Sequence, residues 1–184
     1  MASLISHAVA ALGIGTAFAR PGLAKRVWVL GAICSMVPDI DVLGFKFGIR
    51  YGDFWGHRGF SHSLLFAAIL ATLASVLGFI HGPPGLGKFS LWTYLFLASA
   101  SHAFLDAMTN GGLGVAFFSP IDNTRYFLPW RPILVSPISI TRFFSERGLA
   151  VLLSELTWIW IPAGFFAFAA FAVPRFKSRP SVMP

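Results

Sequence analysis

The sequence predicts an all-α protein, a polytopic membrane helical bundle of about five helices with one long interfacial loop. Of its 184 residues, 56% are hydrophobic and only 11% are charged, whereas soluble domains carry about 25% charged residues. Phe contributes 20 residues and Trp contributes 6. Too little polar side chain remains to cover a globule in water, so the composition excludes a soluble globular domain.

Five apolar stretches approach the roughly 20 residues that a membrane span needs. They are residues 4–19, 27–45, 63–80, 91–108 and 149–173. Turn-forming sequences follow or interrupt the first four, at Arg20-Pro21-Gly22, Pro38-Asp39-Ile40-Asp41, 81–85 and 110–112. The connection 109–148 is rich in Pro, aromatic residues and Arg, which predicts an ordered cap at the membrane interface. No internal repeat is present, so we expect one domain over 1–184, with its motifs in about 5–115.

The first stretch has a second interpretation, as a signal peptide. Ala17-Phe18-Ala19 fits the small-residue rule for a cleavage site, and 4–18 resembles the apolar region before such a site. However, no Lys or Arg precedes the apolar run, and a signal peptide usually has one there. The sequence therefore favours a retained helix, and cleavage would remove His7.

Ionisable side chains in the predicted spans are grouped, although each costs a few kcal/mol in a membrane helix. They lie at the start of the first span, the end of the second, the start of the third and the end of the fourth. Because successive spans run in opposite directions, these four ends share one membrane face. The residues that converge there are His7, Asp39, Asp41, His57, His62, His102 and Asp106.

The converging residues have the chemistry of a metal site. His102 and Asp106 stand four apart on one helix face, as a pair of ligands requires. Imidazole with carboxylate favours zinc, with manganese or iron as alternatives. Four His and three Asp exceed the needs of one tetrahedral ion, so we expect one or two divalent ions bound by all seven. Taken singly, each has a structural alternative, such as helix packing or loop capping.

Other residues have predicted roles near this site. The planar fork of Arg58 matches a pair of phosphate oxygens, so Arg58 is a predicted catalytic and substrate-binding residue. Asp39 is predicted to accept a proton, with Asp41 as the alternative. Arg125 and Arg131 in the long loop are predicted to bind substrate, with interfacial anchoring as the alternative. Ser61 or Ser63 is expected to cap the third helix, and Glu155 is either an extra ligand or an Arg partner.

Three motifs resemble those of the YdjM-like family of bacterial membrane-bound metal-dependent hydrolases. They are Pro38-Asp39-Ile40-Asp41, 57–63 (HRGFSHS) and 102–106 (HAFLD), together with His7. The resemblance covers about 5–115 and implies an inner-membrane enzyme with a divalent-metal site. A more distant likeness to zinc-dependent phospholipase C rests on the HxxxD pair, an early His and an intervening Asp. The second HxxxE pair of that group is absent from the sequence, which favours one or two ions over three.

The sequence thus predicts a membrane-bound, metal-dependent hydrolase in the bacterial inner (cytoplasmic) membrane. The metal would lower the pKa of a bound water toward 7, and a site at head-group depth favours a lipid or lipid-linked phosphoester. The net charge of +7 comes from basic residues placed singly between apolar runs, which favours membrane lipid over nucleic acid as partner. The alternatives are a metal-ion or proton transporter and a non-catalytic membrane scaffold.

Overall fold

The structure, a computed structural model, describes residues 1–79, 81–83 and 85–177. Seven α-helices lie within these residues: α1 Leu4–Gly15, α2 Lys25–Met36, α3 Leu64–Gly78, α4 Lys88–Ala107, α5 Ile140–Phe143, α6 Glu146–Glu155 and α7 Ile161–Lys177. Short 3-10 helices cover Thr16–Phe18, Val37–Phe47 and Phe60–His62, and a π-helical turn, Leu156–Trp160, joins α6 to α7. No β-strand occurs in the described residues, so the predicted all-helical class is confirmed.

Two continuous helices in the described part of the chain are long and apolar enough to cross a membrane. They are Lys25–Phe47, with 23 residues, and Glu146–Ala172, with 27 residues. Leu4–Phe18 and Leu64–Gly78 are also apolar but shorter. Most of the helices overlap the apolar segments that the sequence predicted, whereas α5 and the start of α6 lie in the predicted long connection 109–148. A path of five membrane spans stays a prediction.

Helix α4 lies at the centre of the bundle, packed against α1, α2 and α3, and α7 packs on α1. The buried face of α4 carries Tyr94, Leu95 and Ala98, which contact buried residues of the neighbouring helices. Neighbouring helices can approach each other closely only where small residues lie between them. A Cβ on Gly31 would lie 1.9 Å from Tyr94 Oη, so only glycine fits there. This packing holds the ends of α1, α2 and α4 together on one side.

Local sequence explains how two helices end or begin at that side. The regular turns of α2 end at Met36, just before Pro38, which has no amide hydrogen to continue them. The chain goes on as the 3-10 helix Val37–Phe47 and carries Asp39 and Asp41 there. Helix α3 begins after Ser63, whose Oγ accepts a hydrogen bond from the Phe66 amide at 3.0 Å. The expected serine cap is therefore confirmed at Ser63.

The connection between α4 and α6 folds back on the same side of the bundle. It pairs with itself at two isolated bridges, Thr109 with Ile133 and Val115 with Tyr126. The Leu128 amide also donates to the Ala107 carbonyl at the end of α4, at 3.0 Å. The connection is thus tied to the helices, while its position relative to a bilayer stays a prediction.

Candidate metal centre

The structure brings together the seven residues predicted as metal ligands, from α1, the 3-10 helix after α2, the loop before α3, and α4. We call this set the His/Asp cluster: His7, Asp39, Asp41, His57, His62, His102 and Asp106. All but Asp41 are at most 4% exposed. The imidazole rings of His7 and His102 stack with their centroids 3.6 Å apart. Segments far apart in sequence therefore meet in one buried, polar place.

Four atoms of the cluster have the spacing of a tetrahedral ligand set. His62 Nε2 lies 3.0 Å from His102 Nε2 and 3.6 Å from both Asp39 Oδ1 and Asp106 Oδ2. His102 Nε2 lies 3.4 Å from Asp39 Oδ1. Ligands about 2.0–2.1 Å from a tetrahedral zinc ion stand about 3.3 Å from one another. These four residues therefore fit a divalent ion.

The hydrogen bonds of His102 leave the correct nitrogen free for such an ion. Its Nδ1 lies 2.6 Å from the Ser35 carbonyl oxygen, so Nδ1 carries the hydrogen and Nε2 presents a lone pair. His62 Nε2 faces that lone pair at 3.0 Å. Two imidazole nitrogens at this distance need either a proton or a metal ion between them.

Asp41 uses its carboxylate to orient two imidazoles. His57 Nδ1 lies 2.7 Å from Asp41 Oδ1, and His62 Nδ1 lies 3.1 Å from Oδ2. Ser61 Oγ and the Arg58 amide also donate to Oδ2. A carboxylate behind a ligating histidine is a common arrangement at metal sites. The contacts favour an orienting role, while Asp41, His57 and His62 also form a second group with the spacing of metal ligands, so the prediction of Asp41 as a ligand stays a prediction.

Several buried atoms of the cluster have no hydrogen-bond partner among the described residues. They are both ring nitrogens of His7, both oxygens of Asp39, Nε2 of His57 and Oδ2 of Asp106. Buried polar atoms are nearly always paired, so their concentration in one place needs an explanation. A bound cation supplies one, because each of these atoms except a protonated nitrogen can donate a lone pair.

His7 faces the same two carboxylates from another side. Its Nε2 lies 3.6 Å from Asp106 Oδ1 and 4.0 Å from Asp39 Oδ2. These are the carboxylate oxygens that do not face His62 and His102. Asp39 and Asp106 thus each turn one oxygen toward His62 and the other toward His7.

The two histidines of the loop before α3 differ in charge. Burial lowers the pKa of His57 although Asp41 opposes the shift, which favours the neutral imidazole. Burial would also lower the pKa of His62, but its contacts with the Asp106, Asp39 and Asp41 carboxylates raise it to about 10. Without a metal ion, His62 therefore holds a second proton at neutral pH.

Arg58 is held by the protein on several sides. Its side chain is fully buried, with NH1 donating to the Gly111 carbonyl and NH2 to Thr109 Oγ1, both at 2.9 Å. Nε lies 3.0 Å from Asp106 Oδ2, but its hydrogen does not point at that oxygen, so the contact is ionic. Its backbone φ is +64°, which is uncommon for a residue other than glycine. These contacts favour a role in positioning Asp106 over a free phosphate-binding fork.

The two loop arginines predicted to bind substrate are placed differently. Arg125 donates to the carbonyls of His57 and Tyr51, at 2.7 and 2.9 Å, and so supports the loop that carries the cluster. Arg131 is exposed, with its guanidinium 4.5 Å from the centre of the Phe127 ring. Neither prediction of substrate binding is tested by these contacts.

Sequence reasoning did not identify two partners of the cluster, the Ser35 carbonyl and the Ala2 amide. The Ala2 amide donates to Asp106 Oδ1 at 2.7 Å. Glu155, which the sequence offered as an extra ligand or an Arg partner, is fully buried and accepts hydrogen bonds from Ser3 and Ser6. Among the described residues it forms no ion pair with Arg and belongs to neither group with the spacing of metal ligands. Backbone groups carry no residue-type signal, so their contacts had to come from the fold.

Comparison with known proteins gives two curated relatives and one family. The family model described as YdjM inner membrane protein matches residues 1–178. Inner membrane protein YbcI of Escherichia coli (strain K12) is 40% identical over 162 residues, which cover 88% of this chain and 92% of that protein. Uncharacterized protein YvsG of Bacillus subtilis (strain 168) is 31% identical over 98 residues, covering 50% of this chain and 56% of that protein. No solved structure matches the chain.

Proposed function

Because the chain belongs to the YdjM family of inner membrane proteins, its location is the inner membrane, and we propose that it is a membrane-bound metal-dependent hydrolase. The observation that carries this proposal is the buried set of imidazole nitrogens and carboxylate oxygens without partners. Intramembrane His and Asp are costly, and four separate segments contribute to the set. A fold that only needed packing would fill this space with apolar side chains.

The cluster supports one or two divalent ions, with zinc first and manganese or iron as alternatives. The first position is formed by Asp39 Oδ1, His62 Nε2, His102 Nε2 and Asp106 Oδ2. The second uses His7 Nε2 with the other oxygens of Asp39 and Asp106. When bound, such ions lower the pKa of a water and polarise a phosphoryl oxygen.

The chain's own residues divide the remaining work. Asp41 fixes the rings of His57 and His62, and Arg58 fixes Asp106. The sequence predicted Asp39 as the proton acceptor with Asp41 as the alternative, and Asp39 can take that role only where one of its oxygens is not bound to an ion. His57 is a second buried base, since its Nδ1 is bonded to Asp41 and its Nε2 has no partner among the described residues. A base backed in this way is suited to take a proton from water.

A lipid or lipid-linked phosphoester is the substrate class that fits the surroundings of the cluster. The aromatic rings of Phe54, Trp55 and Phe60 pack together beside the loop that carries His57. Trp55 is 60% exposed, and Trp is enriched where a membrane meets water. Membrane lipid is accordingly the expected partner, with no nucleic acid. The five-span path belongs to this proposal, because it places the cluster at one membrane face.

Metal content tests the proposal. Detergent-purified wild type is compared by elemental analysis with His102→Ala and with a matched control, His81→Ala, at an exposed histidine in the turn after α3. We expect one to two equivalents of metal in the wild type and in the control, and loss of metal in His102→Ala. Protein that stays metal-free after incubation with zinc, manganese and iron would overturn the hydrolase proposal.

The substrate class is tested on the metal-loaded protein. Hydrolysis of a phospholipid in mixed micelles is compared with hydrolysis of a water-soluble phosphate ester, again with His102→Ala as the inactive variant. Turnover of the lipid that depends on His102 supports the proposal. Turnover of the soluble ester alone would keep the hydrolase and reject the lipid substrate.

A further inference from the structure

Glu155 is a fully buried carboxylate at the end of α6, directly before the π-helical turn. It accepts three hydrogen bonds, all from the segment that begins α1: from the Ser3 amide, from Ser3 Oγ and from Ser6 Oγ. Ser6 Oγ in turn accepts a hydrogen bond from Trp160 Nε1 at 2.7 Å. The start of α1 and the junction between α6 and α7 are thus joined through a buried acid.

The segment that Glu155 holds leads directly to the His/Asp cluster. Ser3 is the N-cap of α1, and its Oγ accepts a hydrogen bond from the Ser6 amide. The neighbouring Ala2 amide donates to Asp106 Oδ1 at 2.7 Å, and His7 lies in the first turns of α1. Residues 2 and 3 therefore lie between two buried carboxylates, Asp106 on α4 and Glu155 on α6.

We propose that Glu155 is a positioning residue of the metal centre, acting through the backbone of Ala2 and Ser3 on Asp106 and through α1 on His7. This positioning role rests on the proposed metal site. By fixing the Ser3 amide, Glu155 directs the Ala2 amide at Asp106 Oδ1, which sets the orientation of a carboxylate that faces both ion positions. The same bonds fix the start of α1 and hence the position of His7.

Electrostatics explains why an acid occupies this position. The N-terminal end of a helix carries a partial positive charge and unpaired amides, and Glu155 supplies a negative group there from within the protein. A glutamine would fit the space, but its NH2 group donates hydrogen bonds and cannot accept them from Ser3 or Ser6. Only one of its two terminal atoms could still accept, so the hold on residues 2 and 3 would weaken.

The test measures metal binding in full-length Glu155→Gln and Glu155→Ala in detergent. Zinc affinity is determined by competition with a chelator, and the visible spectrum of the cobalt-loaded protein reports the geometry around the ion. Changes in groups that orient metal ligands typically cost about 10–100-fold in affinity. Because Glu155 acts through a backbone segment, we expect about tenfold weaker binding and shifted cobalt bands in both variants.

A control separates positioning from general loss of stability. Ala71→Leu overpacks the fully buried core position of α3, on a helix that carries none of the cluster residues, and should lower the melting temperature with no change in affinity or spectrum. If the Glu155 variants melt lower but bind and absorb like wild type, Glu155 is structural only. Equal loss of affinity in Ala71→Leu would likewise overturn the positioning role. A wild type that binds no metal would instead reject the proposed function.

Discussion

At the scale of single residues, Asp41 gives a test that distinguishes a metal ligand from a residue that orients a ligand. Its carboxylate is hydrogen-bonded to His57 Nδ1 and lies 3.1 Å from His62 Nδ1, so Asp41→Asn replaces one accepting oxygen with a donating nitrogen. We expect metal affinity to fall by about 10–100-fold while binding remains measurable. Chelator competition checks this, with Asp122→Asn, in the long loop, as a control that leaves affinity unchanged. Wild-type affinity in Asp41→Asn would contradict the orienting role.

Arg58 gives a second prediction at this scale. Arg58→Ala leaves Asp106 buried without its ionic partner, and breaking a buried pair in this way costs about 3–5 kcal/mol. We expect thermal unfolding in detergent at a clearly lower temperature, whereas Arg131→Ala, at an exposed position, should change little. A variant that melts like wild type but binds phosphoester more weakly would restore the substrate-binding role that the sequence predicted.

At the scale of elements, α3 is one of the two apolar helices, with Leu4–Phe18, that are short for a membrane crossing. Its 15 residues extend about 23 Å, against a hydrocarbon core of about 30 Å. A span of this length needs its flanking residues or local thinning of the bilayer. If α3 and α4 both cross, the turn between them lies on one membrane face and the connection between α4 and α6 on the other.

Single-cysteine labelling checks this arrangement. Cys34, the one cysteine of the chain, is buried, so Cys34→Ala gives a background for His81→Cys and Thr124→Cys, two exposed positions on the two connections. We expect an impermeant maleimide to label them from opposite sides of oriented vesicles. Labelling of both from the same side would contradict the five-span path.

At the scale of the whole molecule, metal and protons compete for the His/Asp cluster. The carboxylates raise the pKa of His62 to about 10 against the effect of burial, so the metal-free protein holds a proton that an ion must displace. Affinity should therefore rise with pH, by about tenfold per unit for one displaced proton, between about pH 7 and 9. Chelator competition at constant ionic strength measures this slope. An affinity independent of pH would show that the ion binds without displacing the proton of His62, and therefore outside the His/Asp cluster.

Much of the fold and of the candidate site could be predicted from local patterns in the sequence. Hydrophobic runs interrupted by Gly and Pro identified the helices, because the cost of exposing backbone in lipid leaves few alternatives. Because successive predicted spans run in opposite directions, the sequence predicted that His7, Asp39, His62 and His102 would lie together. The structure brings them together. Ser63 was a recognisable helix cap, because its signal lies within a few residues of the helix that it starts.

The sequence by itself determined the helical class, the membrane location and the family, since composition and motifs can be read without knowing any contact. Only the tertiary structure shows the contacts that bear on how the polar residues divide their roles. Asp41 supports two imidazoles, Arg58 holds Asp106, and Glu155 holds the start of α1. Each role depends on a hydrogen bond or ion pair between remote segments, such as the Ala2 amide and Asp106, which stand 104 residues apart. A carboxylate becomes a ligand or a support according to which neighbours packing brings within about 3 Å.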